Sequence, residues 1–317
     1  MQFEDIRRIA TLGTGTMGHG VALLCALAGY EVRLYGRSEA SLDRGFNGIQ
    51  AGLDLLLENE LIRPEEIGES LRRIRGVTAI AAAADGADWV IESLAEDLAL
   101  KKAIFEELDQ VAPPRTILSS NTSGLSPTLL GAATERPDRV LVTHFWNPPH
   151  LLPLVEIVRG EKTSEEAVGL AKALVKKLGK KPVEVKKDIP GFVGNRLQFA
   201  LLREALHIVE EGWARPEDVD AAVKYGFGRR LAVTGPLESA DLGGLDVFHS
   251  IQSYLNRDLA ASSEPSPLLE RKVAVGDLGA KTGQGFYDWS TERFERLRKY
   301  RERILLSFLQ EDRSKGS

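Results

Sequence analysis

The chain has 317 residues, of which 43% are hydrophobic and 27% charged, and its formal net charge is −5 at pH 7. That length and balance suit a soluble globular protein of about two domains with a sizeable core, and an acidic chain with no sustained basic stripe before its C-terminal tail argues against a nucleic-acid binder. Cys25, the single cysteine, sits in an apolar run and excludes an internal disulfide; the N-terminus lacks a signal-like apolar core and no apolar run reaches membrane-spanning length, so a cytoplasmic protein with no membrane partner and no metal site is expected.

In chain order, Ile6 to Leu12 reads as a buried strand and Met17 to Ala28 as an apolar helix stopped by Gly29. Glu31 to Tyr35 reads as a second strand, completing the unit that builds a parallel sheet with right-handed crossovers. The alternation continues with a helix from Ser38 to about Glu58, strands at Val77 to Ile80 and Trp89 to Glu92, a helix near Leu98 to Val111 and a strand at Thr116 to Ser119. Arg139 to His144, Leu154 to Val158 and Val183 to Val185 add further strands. Strands interleaved with helices imply an α/β, Rossmann-like, doubly wound parallel sheet over residues 1–187. From Phe192 onward helical periodicity takes over, with Val193, Leu197, Leu201, Ala205 and Ile208 on one stripe, so residues 188–317 are expected to form an all-α domain. Thr291 to Gln310 reads as a charged helix with an apolar stripe that packs either on its own chain or on a partner subunit.

Gly13, Gly15 and Gly18 satisfy G-x-G-x-x-G between a strand and a helix. The first glycine permits a tight turn, the second lets the backbone approach a pyrophosphate, and the third allows close helix–strand contact. With Thr16 and Met17 they are expected to hold a dinucleotide, whose anion meets the free N–H groups of a helix start. After the second strand stands Tyr35-Gly36-Arg37-Ser38, where an NAD site usually places a carboxylate for the ribose 2′-hydroxyl. Its absence, with Arg37 and Ser38 as phosphate ligands, leans the cofactor, NAD or NADP, towards NADP; the alternative is that Arg37 stacks on adenine or faces water.

His144 ends a predicted strand and precedes Asn147-Pro148-Pro149, and Glu156 follows on the next strand. A carboxylate beside an imidazole fixes its tautomer and stabilises the imidazolium, which suits general acid/base work; an ordinary buried histidine is the alternative. Ser123 can close a turn and Asn195 can cap the helix that opens the second domain, or both can serve a site. Ser123, His144 and Glu156 also contain the parts of a serine hydrolase, but no G-x-S-x-G elbow is present.

Ser120-Asn121-Thr122-Ser123, His144-Phe145-Trp146-Asn147-Pro148, Leu154-Val155-Glu156-Ile157 and Pro190-Gly191-Phe192-Val193-Gly194-Asn195-Arg196 together resemble the L-3-hydroxyacyl-CoA dehydrogenase family, and the likeness runs from the glycine loop to Trp289. The resemblance implies a Rossmann-like domain followed by a helical domain that forms a homodimer, and hydride transfer between NAD(P) and the C3 hydroxyl or keto group of a short-chain 3-hydroxyacyl-CoA. It implies His144 as general base, Glu156 as its partner, and Ser123 and Asn195 as ligands of the reacting oxygen or the adjacent carbonyl. Glu96, Lys101, Ser123, Asn147 and Lys281 fall where the family contacts the dinucleotide. Relatives acting on CoA esters carry Ser and Lys on the helix after the second strand, near the CoA nucleotide, where this chain has Gly52 and Asn59 in an acidic neighbourhood. Trp146 and Pro148-Pro149-His150 resemble relatives that oxidise free hydroxy acids such as gulonate, carnitine or a hydroxymethyl-pyridine carboxylate; His150 is either a substrate contact or a surface histidine. A non-catalytic dinucleotide-binding protein, as in related lens crystallins, is a further alternative.

Overall fold

The computed structural model describes residues 1–314; the last residues of the second predicted domain, 315–317, lie outside the described residues. Among the described residues the strands are β1 (Arg8–Leu12), β2 (Glu31–Tyr35), β3 (Ile74–Val77), β4 (Trp89–Glu92), β5 (Ile117–Ser120), β6 (Val140–Phe145), β7 (Leu154–Arg159) and β8 (Lys181–Val185). They form one sheet in the order β3-β2-β1-β4-β5-β6-β7-β8. The first helices are α1 (Thr16–Leu27), α2 (Glu39–Glu58), α3 (Pro64–Arg73), α4 (Ile80–Ala84), α5 (Leu98–Val111), α6 (Pro127–Gly131) and α7 (Glu165–Lys177). There follow α8 (Gly194–Glu210), α9 (Pro216–Tyr225), α10 (Phe227–Leu231), α11 (Pro236–Gly243), α12 (Leu245–Leu255), α13 (Pro267–Ala274) and α14 (Thr291–Ser314).

Alternate strand residues point to opposite faces, and each face has its own apolar layer. Ile9, Ile91, Ile117 and Leu141 pack with α1, α2 and α7, whereas Ala10, Val90 and Leu118 pack with α4 and α5. The expected parallel sheet needs one correction. β7 pairs antiparallel with β6, and β8 runs parallel to β7. Only residues 146–153 join β6 to β7, too few for the crossover that a parallel pair requires.

Two elements also differ locally from expectation. The strand placed at Val77 to Ile80 ends at Val77, and Ile80 opens α4 instead. Sequence periodicity also missed α3, although its signals are present. Pro64 stands in its first turn, Glu66 reaches back to Arg63 N–H at 2.9 Å, and Arg72 and Arg73 occupy its last turn.

The chain divides into two compact units, one of residues 1–195 together with Tyr300 onward, the other of Arg196–Lys299. The first unit therefore extends past the expected boundary at Asp188. Phe192, fully buried with Val142, Val158 and Val185, belongs to its core. The end of α14 returns to the first unit because Leu306 and Leu309 bury in the same core as Leu56 and Leu61. The second unit is helical, with isolated bridges at Gly279–Gln284 and Gln284–Asp288. It leaves many large apolar side chains exposed, among them Val233 at 83%, Leu237 at 80% and Leu242 at 78%.

Candidate active site

Each glycine of the first loop meets a distinct constraint. Gly13 has φ +118°, and a Cβ there would stand 2.6 Å from Ser93 O. A Cβ at Gly18 would stand 2.0 Å from Gly13 O, so any larger residue would push the helix off the strand turn. Gly15 is different, since nothing lies within 4 Å of its Cβ position and it ends the turn just before Thr16 and Met17 open α1. Its backbone is thus open to a ligand at a helix start, the geometry that suits a pyrophosphate. A cavity of about 540 Å³ begins there and is lined by Gly13, Gly15, Gly36, Arg37, Arg44 and Ser93 among others. These features fit a dinucleotide.

At the far end of this cavity the expected Arg37 is joined by Arg44, and no carboxylate lines the wall. Sequence reasoning missed Arg44; its place three residues after Ser41 on α2 puts both on one helix face, which was a legible signal. Ser38 caps α2, its hydroxyl accepting from Ser41 N–H at 3.3 Å while keeping its own hydrogen to donate.

Lys101 is held by partners within the protein. It is 1% exposed, and its Nζ donates to Glu92 Oε1 and Oε2 at 2.7 and 2.8 Å and to Leu94 O at 3.4 Å. Glu92 is itself fully buried and accepts from Ser120 Oγ at 2.6 Å. A buried ammonium with these acceptors holds the end of β4 to α5. Glu96 lies 3.5 Å from Lys101 and accepts from the Thr122 hydroxyl and from Ser123 N–H at 3.0 Å, so it shapes the loop after β5.

His144 and Glu156 are directly opposed across the antiparallel β6–β7 pair, which puts both side chains on one face. His144 Nδ1 and Glu156 Oε2 are 2.9 Å apart. The same carboxylate accepts from Trp146 Nε1 at 3.3 Å, Val193 N–H at 2.9 Å and Gly194 N–H at 3.0 Å. Burial alone would raise the Glu156 carboxyl, but the hydrogen bonds from His144, Gly194 and Val193 outweigh it and hold the group below its ordinary value. An ionised Glu156 only accepts, so Nδ1 carries the hydrogen and the neutral ring keeps a lone pair at Nε2. Nε2 makes no hydrogen bond among the described residues and is not among their sealed, unpartnered polar atoms.

The remaining predicted groups gather around this pair. Asn195 Nδ2 donates to Ser123 O at 2.8 Å, and the residue stands inside α8, which begins at Gly194, so it is not the N-cap of that helix. Glu156 thus holds Val193 and Gly194, the next residue is Asn195, and Asn195 holds Ser123. No hydrogen bond links Ser123 to His144 among the described residues, so the hydrolase arrangement is not formed. Asn121, which sequence reasoning did not single out, accepts from Phe145 N–H at 2.7 Å and so fixes the strand end that carries His144. Asn147 lies exposed in the turn after β6, and Lys281 lies exposed in a turn of the second unit. Of the places assigned by resemblance to CoA contacts, Gly52 is buried against Leu23, and Asn59 is half-buried just after α2 with its carbonyl accepting from Gln310 Nε2 at 3.1 Å.

The family model for the 3-hydroxyacyl-CoA dehydrogenase NAD-binding domain matches residues 8–189, and the model for the C-terminal domain of the same enzymes matches residues 191–289. The chain is 36% identical over 302 residues to 5-formyl-3-hydroxy-2-methylpyridine 4-carboxylate 5-dehydrogenase of Mesorhizobium japonicum, covering 95% of this chain and 97% of the relative. It is 39% identical over 285 residues to 3-hydroxybutyryl-CoA dehydrogenase of Bradyrhizobium diazoefficiens, covering 90% and 96%. A solved structure of the pyridine carboxylate enzyme, described as an NAD+ dependent dismutase, superposes with a TM-score of 0.91 at 35% identity over 97% of this chain and 99% of the other. (S)-3-Hydroxybutyryl-CoA dehydrogenase from Ralstonia eutropha gives a TM-score of 0.76 at 37% identity over 90% of this chain and all of the other, 100%.

Proposed function

The chain belongs to the 3-hydroxyacyl-CoA dehydrogenase family, and we propose that it is an NAD-dependent dehydrogenase of a 3-hydroxyacyl substrate with His144 as general acid/base and Glu156 as its partner. The observation that carries this reading is the buried His144–Glu156 pair, whose hydrogen-bonding leaves Nε2 as the open basic atom. In the oxidative direction Nε2 takes the hydroxyl proton, and Glu156 stabilises the imidazolium that results. NAD, bound along the glycine loop, supplies the hydride acceptor. In the reductive direction the imidazolium returns its proton to the forming alkoxide. The Ser123 hydroxyl has no protein partner among the described residues, and Asn195 is fixed beside it, which supports both as ligands of the substrate oxygen.

The 3-hydroxybutyryl-CoA dehydrogenases among the relatives support a CoA ester as substrate. A free hydroxy acid is the second reading, supported by a buried glycine, Gly52, at one place assigned to CoA contacts and by the likeness to the pyridine carboxylate enzyme over nearly the whole chain. Two guanidinium groups and no carboxylate at the adenosine end support acceptance of NADP beside NAD. The exposed apolar side chains of the second unit support a homodimer formed through it, since a monomer would leave them in water. No helix among the described residues is long and apolar enough to cross a membrane, and a cytoplasmic setting is part of the same reading.

The test is His144→Ala. We expect kcat to fall by about 10²–10⁴-fold, the usual worth of positioned proton transfer, with NADH affinity unchanged. Wild-type turnover would refute the assignment. The NADPH:NADH ratio of kcat/KM, before and after Arg37→Glu, measures the cofactor preference.

A further inference from the structure

The residue directly after β6 touches both members of the base pair. His144 and Trp146 stand two apart, and extended backbone sends both side chains to the same face. Trp146 Nε1 donates to Glu156 Oε2 at 3.3 Å, the oxygen that His144 Nδ1 approaches at 2.9 Å. The indole also lies beside the imidazole, with ring centroids 5.5 Å apart and planes tilted by 51°. Phe192 stands 5.7 Å from the imidazole, tilted by 60°. Phe192 and His144 are buried, whereas Trp146 is half-buried.

The indole is itself seated on the start of α8. A Cβ at Gly194 would stand 2.3 Å from Trp146 Cζ2 and 3.2 Å from Cε2 and Cη2, so its three nearest neighbours all belong to the indole. Gly194 does not take a positive φ, so a side chain there would meet the ring and not a backbone constraint. Val193 and Gly194 meanwhile hold Glu156 Oε1 through their N–H groups. One short segment thus fixes one carboxylate oxygen through its backbone and seats the ring that reaches the other.

The terminal torsion of a glutamate is broad, so a carboxylate pinned at one oxygen still turns about its last bond. A donor on Oε2 from the Trp146 side opposes the pull of Nδ1 from the His144 side and stops that turn. The indole bond is the longer of the two, so the imidazole keeps the larger share of the Oε2 charge. We propose that Trp146 is a positioning residue of the base: seated on Gly194, it sets the plane of the Glu156 carboxylate and, through it, the direction in which His144 Nε2 faces the substrate hydroxyl. Trp146 acts through the pair, without contact to either reactant. Misplacing a reacting group by about 1 Å can cost on the order of 10²-fold in rate, so even a long hydrogen bond is felt in kcat. This role rests on the dehydrogenase reading above and extends it to a residue outside the hydride-transfer groups.

The experiment compares wild type, Trp146→Phe, Gly194→Ala and the double variant, with His144 intact and with His144→Ala, in steady-state NADH oxidation by acetoacetyl-CoA or acetoacetate, whichever the wild type reduces faster. Trp146→Phe keeps a ring beside the imidazole but loses the N–H and the atoms over Gly194. It should lower kcat by roughly 5–30-fold with both KM values within about twofold, the signature of an interaction made in the transition state. Gly194→Ala displaces the same indole from the other side and should cost a similar factor, yet less than about twofold more once Trp146 is already Phe. After His144→Ala, Trp146→Phe should leave the residual turnover within about twofold, because the base that it positions is gone. A wild-type kcat in Trp146→Phe, a loss carried by KM, losses that multiply in the double variant, or an equal loss after His144→Ala would each overturn the assignment. If Trp146→Phe does not fold, Gly194→Ala before and after His144→Ala decides the matter. Wild-type turnover in His144→Ala, or none by the wild type with either substrate, would instead overturn the dehydrogenase reading itself.

Discussion

Glu156→Gln separates the electrostatic role of this residue from its size. The carboxylate accepts four donors, two at each oxygen: His144 and Trp146 at Oε2, Val193 and Gly194 at Oε1. A glutamine of the same shape offers one oxygen and one NH2 group, so one pair of donors loses its acceptor in either orientation. At about 1.5–3 kcal/mol for each hydrogen bond to a charged group, losing two costs roughly 3–6 kcal/mol of folding stability before relaxation. The catalytic cost has a separate origin. With the NH2 group towards His144, Nδ1 must become the acceptor and the proton moves to Nε2, which removes the base; with the oxygen towards His144, the imidazolium loses its counter-charge. A wrong tautomer beside a catalytic histidine costs on the order of 10⁴-fold in kcat in the serine protease triad, and a loss of about 10²–10⁴-fold is expected here. Urea unfolding measures the first effect and single-turnover kinetics with saturating NADH the second. A folded variant with kcat within about threefold of wild type would refute the reasoning, because no arrangement of the amide preserves both the charge and all four acceptor contacts.

The glycine loop yields a paired test. Gly15→Ala should shift stability by about 1 kcal/mol or less, since its φ is −69° and its Cβ would meet nothing, yet it should weaken NADH binding measured by fluorescence titration. Gly18→Ala should instead destabilise by roughly 1–3 kcal/mol, read from thermal unfolding, because its Cβ would overlap the Gly13 carbonyl. Acid should loosen the first unit through Asp88. This nearly buried carboxylate accepts from Arg7 N–H at 2.9 Å, Arg8 N–H at 3.0 Å and Arg115 Nη2 at 2.7 Å. Burial opposes its ionisation, but those hydrogen bonds prevail and hold it below its ordinary 3.8. Its contribution is therefore fully present above that unfolded value and is lost as pH falls through the lower folded one. Chemical-denaturation midpoints should fall more steeply with acid below about pH 4 in the wild type than in Asp88→Asn; parallel curves would refute this.

Much of the site was legible before folding because its determinants are local. Gly13, Gly15 and Gly18 need only a strand, a turn and a helix start, and each constraint the spacing implied is met. Trp89 to Glu92 and Leu98 to Val111 were read with their observed bounds because each is a continuous apolar or amphipathic run with clear stops. His144 and Glu156 were singled out as residues, but the register that opposes them depends on β7 reversing direction, which periodicity along one strand does not encode.

Other outcomes depended on residues far apart in the chain. Lys101 was placed at the dinucleotide by the family resemblance and Ser38 by its position after the second strand. Folding gave Lys101 a buried partner, Glu92, and set Ser38 at the start of α2. Arg44 gained a place in the nucleotide cavity through the packing of α2 along β2, and Leu306 and Leu309 carried α14 back onto the first core. The sequence by itself determined the chemistry of each short motif, since backbone conformation and helix-end polarity act within a few residues. Only the tertiary structure decided which polar groups remained free, because desolvation and hydrogen-bond partners are properties of the packed interior.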